Sequence, residues 1–203
     1  MLTPRYPNPA DHGNPKSQAD PATAKDLWNA YSAALTYLEK HSPAAKALIK
    51  ALRENPTKID VAICTFGSEA RSETPFNSMF GFEDDGTATV QWNPGFMFQV
   101  KAKGKEGKAG KQSAALALAH ELGHAKQWLD DKAGYLKEYK KALAEDRGAL
   151  LRIENANVTM HEIPIAKELG EPWRPDYESY VGAQGFVGGD AAKPWPVKVT
   201  IFK

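Results

Sequence analysis

The feature that most constrains this chain is a helical segment, residues 112–131, with the sequence QSAALALAHELGHAKQWLDD. Apolar side chains fall on several of its faces: Ala115, Leu116, Leu118, Ala119 and Leu122. A helix that is apolar around most of its circumference has to be covered by other elements. His120, Glu121 and His124 lie inside the same segment and would be buried with it. Because buried polar groups need partners, the segment predicts a core helix that contains a polar site.

The spacing of these polar residues is typical of a metal site. His120 and His124 are four positions apart, so their side chains project from nearly the same helix face and offer two imidazoles to one ion. Zinc is the expected metal, as one catalytic ion in tetrahedral geometry with one position left for water. Glu121 lies about 100° around the helix, where it can act as the general base toward a water that the ion activates. Gly123 costs up to about 1 kcal/mol relative to alanine in a helix, which predicts a close approach at this position.

A third protein ligand has to come from further along the chain. Glu154, His161 and Glu162 are the candidates. Glu154 is favoured because it lies in the apolar segment ALLRIENANVTM, where a partly buried carboxylate needs a cation. The alternative is that Glu154 is a surface residue paired with Arg147 or Arg152.

Composition restricts the class of protein. The chain has 203 residues and a net charge of +1, which argues against nucleic-acid binding and against an anionic membrane surface as a partner. It contains no apolar segment of the length that spans a bilayer, so membrane insertion is not expected. The single cysteine, Cys64, excludes an intrachain disulfide and a cysteine-rich metal site.

The pattern of elements predicts an α+β fold. Residues 1–21 are rich in Pro, Asn and Gly and are expected to form an irregular arm, and residues 22–203 a single domain. Strand 86–95 alternates polar and apolar residues, and Pro94 ends it as a proline ends an edge strand. Pro164 predicts a break or kink near 161–162, before a short helix that ends at Gly170. The remaining expected helices are 21–40, 42–55, 112–131, 135–144 and 146–160, the remaining strands are 58–66 and 197–202, and 101–111 is expected to be a solvated Lys/Gly loop.

Three blocks of the sequence resemble a known family. They are TATVQWNP (87–94), AHELGHAKQ (119–127) and IENANVTMHEIPIAKELGEPWRPDY (153–177). In this order they are similar to the bacterial effector and toxin zinc metallopeptidases, which include type III secreted effectors and Rhs-type toxin domains with an HExxH motif. The third block resembles the family pattern E-x-G-x-P-x-R-x-x-Y through Glu168, Gly170, Pro172, Arg174 and Tyr177.

The resemblance implies a zincin-like metalloprotease fold with a single catalytic zinc ion. The motif helix would pack on a small sheet whose edge strand borders the cleft, with further helices toward the C-terminus. The implied zinc ligands are His120, His124 and Glu154, with Glu121 as the base, and strand 87–94 is the implied edge that pairs with an extended substrate. Arg174 and Tyr177 also resemble the R-x-x-Y pair that helps to stabilise the oxyanion in clostridial neurotoxin light chains. The alternative for this pair is a structural turn with an aromatic anchor.

The expected function is that of a zinc-dependent endopeptidase which acts as a bacterial toxin or effector and hydrolyses a protein of the target cell. Such a protein would be made in the bacterial cytoplasm without a signal peptide and then secreted or delivered. Its partners would be a protein or peptide substrate and a cognate immunity protein. Two alternatives are a non-catalytic, zinc-stabilised binding module on the same scaffold and a zinc amidase that acts on cell-wall peptides.

Overall fold

A computed structural model describes residues 2–5, 21–63, 78–82, 85–92, 94 and 96–185. Cys64 and the strand predicted at 197–202 lie outside these residues. Among the residues that are described, no helix is long and apolar enough to cross a membrane.

Two helices at the N-terminal side of the domain form one layer of the core. α1 spans Pro21–His41 and α2 spans Pro43–Glu54. Ser42 caps α2, since its side chain accepts a hydrogen bond from the backbone of Ala45. The buried faces of both helices carry apolar residues at helical spacing, as the sequence predicts: Tyr31, Ala34, Leu35 and Leu38 in α1, and Ala45, Leu48, Ile49 and Leu52 in α2.

The main sheet has four strands in the order β1-β2-β4-β3. β1 (Leu2–Arg5) pairs in parallel with β2 (Ile59–Ile63), so the first residues of the predicted irregular arm form a strand instead. β2 is buried along its whole length and pairs in parallel with β4 (Ala88–Trp92). β3 (Met79–Phe82) runs antiparallel to β4.

The prediction that strand 87–94 is the edge of the sheet is wrong. β4 pairs with β2 on one side and β3 on the other, and β3 takes the outer position in the described sheet. The alternation of polar and apolar residues suggested one solvated face, but Thr89 is buried together with Ala88 and Val90. Threonine fits a covered strand because it is small and β-branched. Pro94 suggested an edge strand, but it lies beyond the end of β4 and so does not prevent pairing on either side.

A smaller antiparallel sheet borders the same domain. It consists of β5 (Phe96–Val100), β6 (Gly110–Lys111) and β7 (Tyr180–Gly185), with β5 in the middle. The predicted Lys/Gly loop, 101–111, is mostly exposed. Its last two residues form β6, and the residues before them connect β5 to β6. Its backbone also pairs Lys108 with Trp173, which ties the loop to the segment that carries Arg174.

The motif helix is central, as its apolar circumference predicts. α3 spans Ala114–Asp130, and Ser113 caps it by accepting a hydrogen bond from the backbone of Leu116. It packs against helices from both halves of the chain and against strands of both sheets. The indole of Trp92 donates to the carbonyl oxygen of Ala114, which fixes the start of α3 on β4.

Three helices follow α3: α4 (Lys132–Leu143), α5 (Arg147–Asn157) and α6 (Ile163–Leu169). Where Pro164 predicts a break or kink, the helix becomes irregular without being interrupted: a π-helical turn at Val158–Glu162 joins α5 to α6. π-Helical turns occur frequently at functional sites, where they redirect side chains. α6 ends at Gly170, which adopts the left-handed conformation (φ 70°) that glycine tolerates, as predicted. The molecule is therefore α+β.

Candidate metal centre

Three side chains from two helices meet inside the domain. Nε2 of His120 lies 3.2 Å from Nε2 of His124, both on α3. Oε2 of Glu154, on α5, lies 3.3 Å from each of these nitrogens. Both histidines are buried, and Glu154 is largely so. The structure thus brings together the three residues predicted to bind a metal, and in the described residues they form the group of His, Cys, Asp or Glu side chains that could hold an ion.

The spacing of the three ligand atoms fits a tetrahedral ion. An ion about 2.0–2.1 Å from each ligand requires ligand atoms about 3.3–3.4 Å apart, and the observed separations are 3.2, 3.3 and 3.3 Å. Oε2 of Glu154 is buried, and no aligned hydrogen bond from the described residues reaches it. A buried carboxylate oxygen that faces two imidazole nitrogens is a place where a cation is needed.

A second carboxylate supports His120 from the other side of its ring. Oε2 of Glu162 lies 2.8 Å from Nδ1 of His120, a charge contact rather than an aligned hydrogen bond. Arg174 holds this carboxylate with its Nε at 3.0 Å from Oε1 and its Nη2 at 2.7 Å from Oε2. Gln112 donates to Oε1 at 2.8 Å. A carboxylate on the distal nitrogen of a metal-binding histidine fixes the ring and makes it a stronger ligand.

His124 has its own support. Its Nδ1 lies 3.0 Å from Oε1 of Gln127, one turn further along α3. The amide of Gln127 in turn donates to the carbonyl oxygen of Ile153 on α5. This chain of contacts orients the His124 ring and joins the two helices that supply the predicted ligands.

Gly123 allows α3 and the π-helical turn to approach each other closely, as its position in the motif predicts. A Cβ atom at Gly123 would lie 2.1 Å from Oδ1 of Asn157 and 3.0 Å from Cδ2 of His161. Asn157 is fully buried, and its amide donates to the carbonyl oxygen of His120 at 2.8 Å. The glycine therefore leaves room for an asparagine that fixes the backbone of the motif.

The alternatives to Glu154 occupy other places. Glu162 contacts the Nδ1 side of His120, and His161 packs beside Gly123. The arginines that could have neutralised Glu154 are paired elsewhere, Arg147 with Glu178 and Arg152 with Glu138. The geometry therefore favours Glu154 as the third ligand.

The charges of the site depend on one another. Burial acts against the charged form of His120, but Glu154 and Glu162 outweigh burial and raise the pKa of His120 to about 10. Burial acts to raise the pKa of Glu162, but His120 and Arg174 outweigh it and lower that pKa to about 2. Burial opposes ionisation of Glu154 as well, yet the two histidines hold its pKa below the ordinary value. Without a metal, a proton on His120 supplies the positive charge that the carboxylates require.

Glu121 lies apart from the ligand group but on the same cavity. Its side chain is buried and lines the cavity with His120 and His124. Burial raises the pKa of Glu121, while the neighbouring histidines and a hydrogen bond from the Phe80 backbone in β3 oppose the rise. A carboxylate with a raised pKa beside an ion is suited to accept and return a proton.

A cavity of about 380 Å³ opens directly onto this group. Its polar end is formed by the predicted metal ligands, Glu121, Arg174 and Tyr177. Its other walls come from β3, from β5 and from the facing parts of α4 and α5. A metal bound here would therefore be reachable by another molecule.

Arg174 and Tyr177 differ in what they do. Arg174 is buried, and its guanidinium binds Glu162, the carboxylate that contacts the predicted ligand His120. Tyr177 lines the cavity, with its ring centroid 5.0 Å from the Arg174 guanidinium carbon. Another residue of the family-like pattern, Glu168, has a structural contact. It accepts hydrogen bonds from Ser42 and from the backbone of Ala44 and thus caps α2. Arg174 also lines the cavity, and the catalytic roles of Arg174 and Tyr177 stay predictions.

Sequence reasoning missed the supporting residues Gln112, Gln127 and Asn157. Asn157 follows Glu154 by three positions, so both project from the same face of α5, and this spacing was a usable signal. Gln112 and Gln127 carried no such signal, because their partners are set by packing between distant segments.

Comparison of the chain with protein-family models, with curated proteins and with solved structures found no match.

Proposed function

We propose that this protein is a zinc-dependent endopeptidase. The observation that carries the proposal is the triangle of His120, His124 and Glu154, with ligand atoms 3.2–3.3 Å apart, beside a cavity that Glu121 also lines. Three protein ligands and an accessible cavity are the pattern of catalytic zinc, whereas structural zinc takes four protein ligands. This pattern favours an enzyme over a non-catalytic binding module.

The residues of the chain divide the work of hydrolysis. When bound, zinc would polarise the scissile carbonyl and lower the pKa of a water molecule. The carboxylate of Glu121 accepts the proton of the attacking water and delivers it to the nitrogen of the leaving amine. Glu162 holds the His120 ring in place through Nδ1, and the burial of the Glu121 side chain limits its contact with bulk water.

The outer strand of the sheet supports an extended polypeptide as the substrate. β3 pairs with β4 on one side only in the described sheet, and its residues Met79 and Phe80 line the cavity. An edge strand can pair with an extended peptide through backbone hydrogen bonds. Because Glu121 is close to the Phe80 backbone, a peptide on this edge would pass directly by the base.

The resemblance to effector and toxin metallopeptidases extends the proposal to the biological setting. The protein would then be secreted or delivered into a target cell and cleave a protein there. A producing bacterium exposed to the same activity would require an immunity protein that covers the cavity.

Zinc content and proteolysis test the proposal together. We expect one zinc per chain and cleavage of casein by the zinc-loaded protein. Glu121→Gln should keep the zinc and lower kcat by about 10²–10⁴-fold, because it removes the base without removing a ligand. Glu54→Gln, a change at an exposed position of α2, serves as the matched control and should retain activity.

Two results would refute the proposal. One is a folded wild-type protein that binds no zinc. The other is a Glu121→Gln variant as active as its parent. Hydrolysis of purified peptidoglycan without cleavage of casein would instead identify a cell-wall amidase.

A further inference from the structure

Exposed apolar side chains are concentrated in one place. In the described part of the chain, five large hydrophobic residues are exposed, and three of them line the cavity at the candidate metal centre. These three are Met79, Leu143 and Leu150, with exposed fractions of 45%, 67% and 36%. Such clustering indicates a binding surface, whereas single exposed hydrophobic residues need no explanation.

Two less exposed side chains, Tyr139 and Ile153, continue this surface into the cavity. We name the five residues Met79, Tyr139, Leu143, Leu150 and Ile153 the apolar wall. The acidic and basic residues in the cavity lining are Arg174, the three predicted ligands and Glu121, and Arg174 is paired with Glu162. An apolar group placed against the apolar wall would be removed from water, whereas the five side chains of the wall carry no charge with which a charged group could pair.

The apolar wall lies beside the predicted metal ligands and the outer strand, and therefore close to where a substrate bond would be cleaved. Ile153 directly precedes the predicted ligand Glu154 on α5, and Met79 directly precedes Phe80 on the outer strand. Tyr139 reaches the same strand, because its hydroxyl lies 3.2 Å from the position of a Cβ at Gly81. A peptide on β3 would thus carry one side chain over the apolar wall while its backbone passes the ion.

We infer that the apolar wall binds a large aliphatic or aromatic side chain of a polypeptide substrate, at a residue that adjoins the cleaved bond. The inference rests on the proposed endopeptidase function and adds the class of residue at which cleavage occurs. The cavity volume, about 380 Å³, lies at the low end of the range of about 300–1,000 Å³ for ligand pockets. This size suits one side chain and the adjoining backbone.

Peptides with a single variable position test the inference. Five peptides of one sequence carry Leu, Phe, Ala, Glu or Lys at the residue that adjoins the bond cleaved in casein, and mass spectrometry locates the products. We expect kcat/KM for the Leu and Phe peptides to exceed that for Ala, Glu and Lys by about tenfold to a hundredfold.

A variant of the wall should change this preference. Leu143→Lys alters a largely exposed side chain, so folding should be maintained, and it should lower kcat/KM for the Leu and Phe peptides at least tenfold and raise that for Glu. Met160→Lys is the matched control, because Met160 is similarly exposed but does not line the cavity. A direct binding measurement with the inactive Glu121→Gln variant should show the same order of peptide affinities.

The outcomes separate the inference from the function on which it rests. Equal cleavage of all five peptides, or a preference that Leu143→Lys leaves unchanged, would overturn the inference and leave the endopeptidase in place. If zinc-loaded protein cleaves neither casein nor any other protein offered as substrate, both the inference and the proposed function are wrong.

Discussion

Replacing Glu162 by glutamine tests whether this residue positions His120 or binds the metal itself. The side chain is 1% exposed and contacts Nδ1 of His120, the Arg174 guanidinium and the amide of Gln112. Glutamine has the same shape but no charge, and only one of its two end groups can accept the hydrogen bonds of Arg174. The substitution therefore weakens both the support of His120 and the neutralisation of Arg174.

The expected magnitude follows from these contacts. Loss of a carboxylate that supports a metal-binding histidine weakens metal binding by about 10–100-fold, which corresponds to about 1.4–2.7 kcal/mol. Removing one member of a buried ion pair costs up to about 3–5 kcal/mol of folding stability, and the hydrogen bonds that glutamine retains reduce this loss. Glu154→Gln, by contrast, removes a predicted ligand and should weaken zinc binding by more than 100-fold.

Two measurements on the same samples distinguish these roles. Zinc affinity is obtained by competition with a chromophoric chelator, and the free energy of unfolding by urea denaturation of the metal-free proteins. If Glu162→Gln abolished zinc binding while Glu154→Gln kept the wild-type affinity, Glu162 would be the third ligand and the reasoning from the geometry would be refuted.

The remaining predictions concern stability. Gly123→Ala should lower the free energy of unfolding by about 1 kcal/mol, because the alanine methyl group displaces Asn157 from the carbonyl oxygen of His120. A broken buried hydrogen bond costs about 1–3 kcal/mol, and the helix propensity of alanine returns at most about 1 kcal/mol. Thermal and urea denaturation measure this change, and a variant more stable than the parent would contradict it. In the metal-free protein, the lowered pKa of Glu162 gives stability that is complete above pH 4.5 and is lost as pH falls toward about 2. The raised pKa of His120 gives stability that is complete below pH 6.5 and is lost as pH rises toward about 10. Urea midpoints across this range should therefore be highest between pH 4.5 and 6.5, and a flat profile would show that the contacts of these groups contribute nothing.

The parts of the site that the sequence predicted depend on local spacing. Two histidines four positions apart on a helix have to share a face, and the apolar residues around them require that the helix be covered. The close approach at Gly123 was predictable for the same reason, because a glycine inside a buried helix is costly unless a neighbour needs its space. Packing also places Glu154, which its apolar surroundings favoured as the third ligand, beside the two histidines, and its role as a ligand stays a prediction.

The tertiary structure decided what local spacing leaves open. Glu154 and Glu162 are eight residues apart and both are acidic, yet packing sends one to the Nε2 side and the other to the Nδ1 side of His120. The sequence pattern around Arg174 is the same whether this residue is catalytic or part of a structural turn, and only the tertiary structure shows that its guanidinium binds Glu162.

Periodicity within a few turns of chain was enough to predict the helices, the buried strand β2, the core position of α3 and the histidine pair of the candidate metal site. Contacts between segments that are distant in the chain set which strand lies at the edge, which carboxylate faces the two Nε2 atoms and where the apolar wall forms. Strand order is a choice among pairing partners, and β4 had a partner on each side that its own sequence does not specify. The cavity has the same origin, since β3, β5, α4 and α5 each supply part of a surface that none of them forms alone.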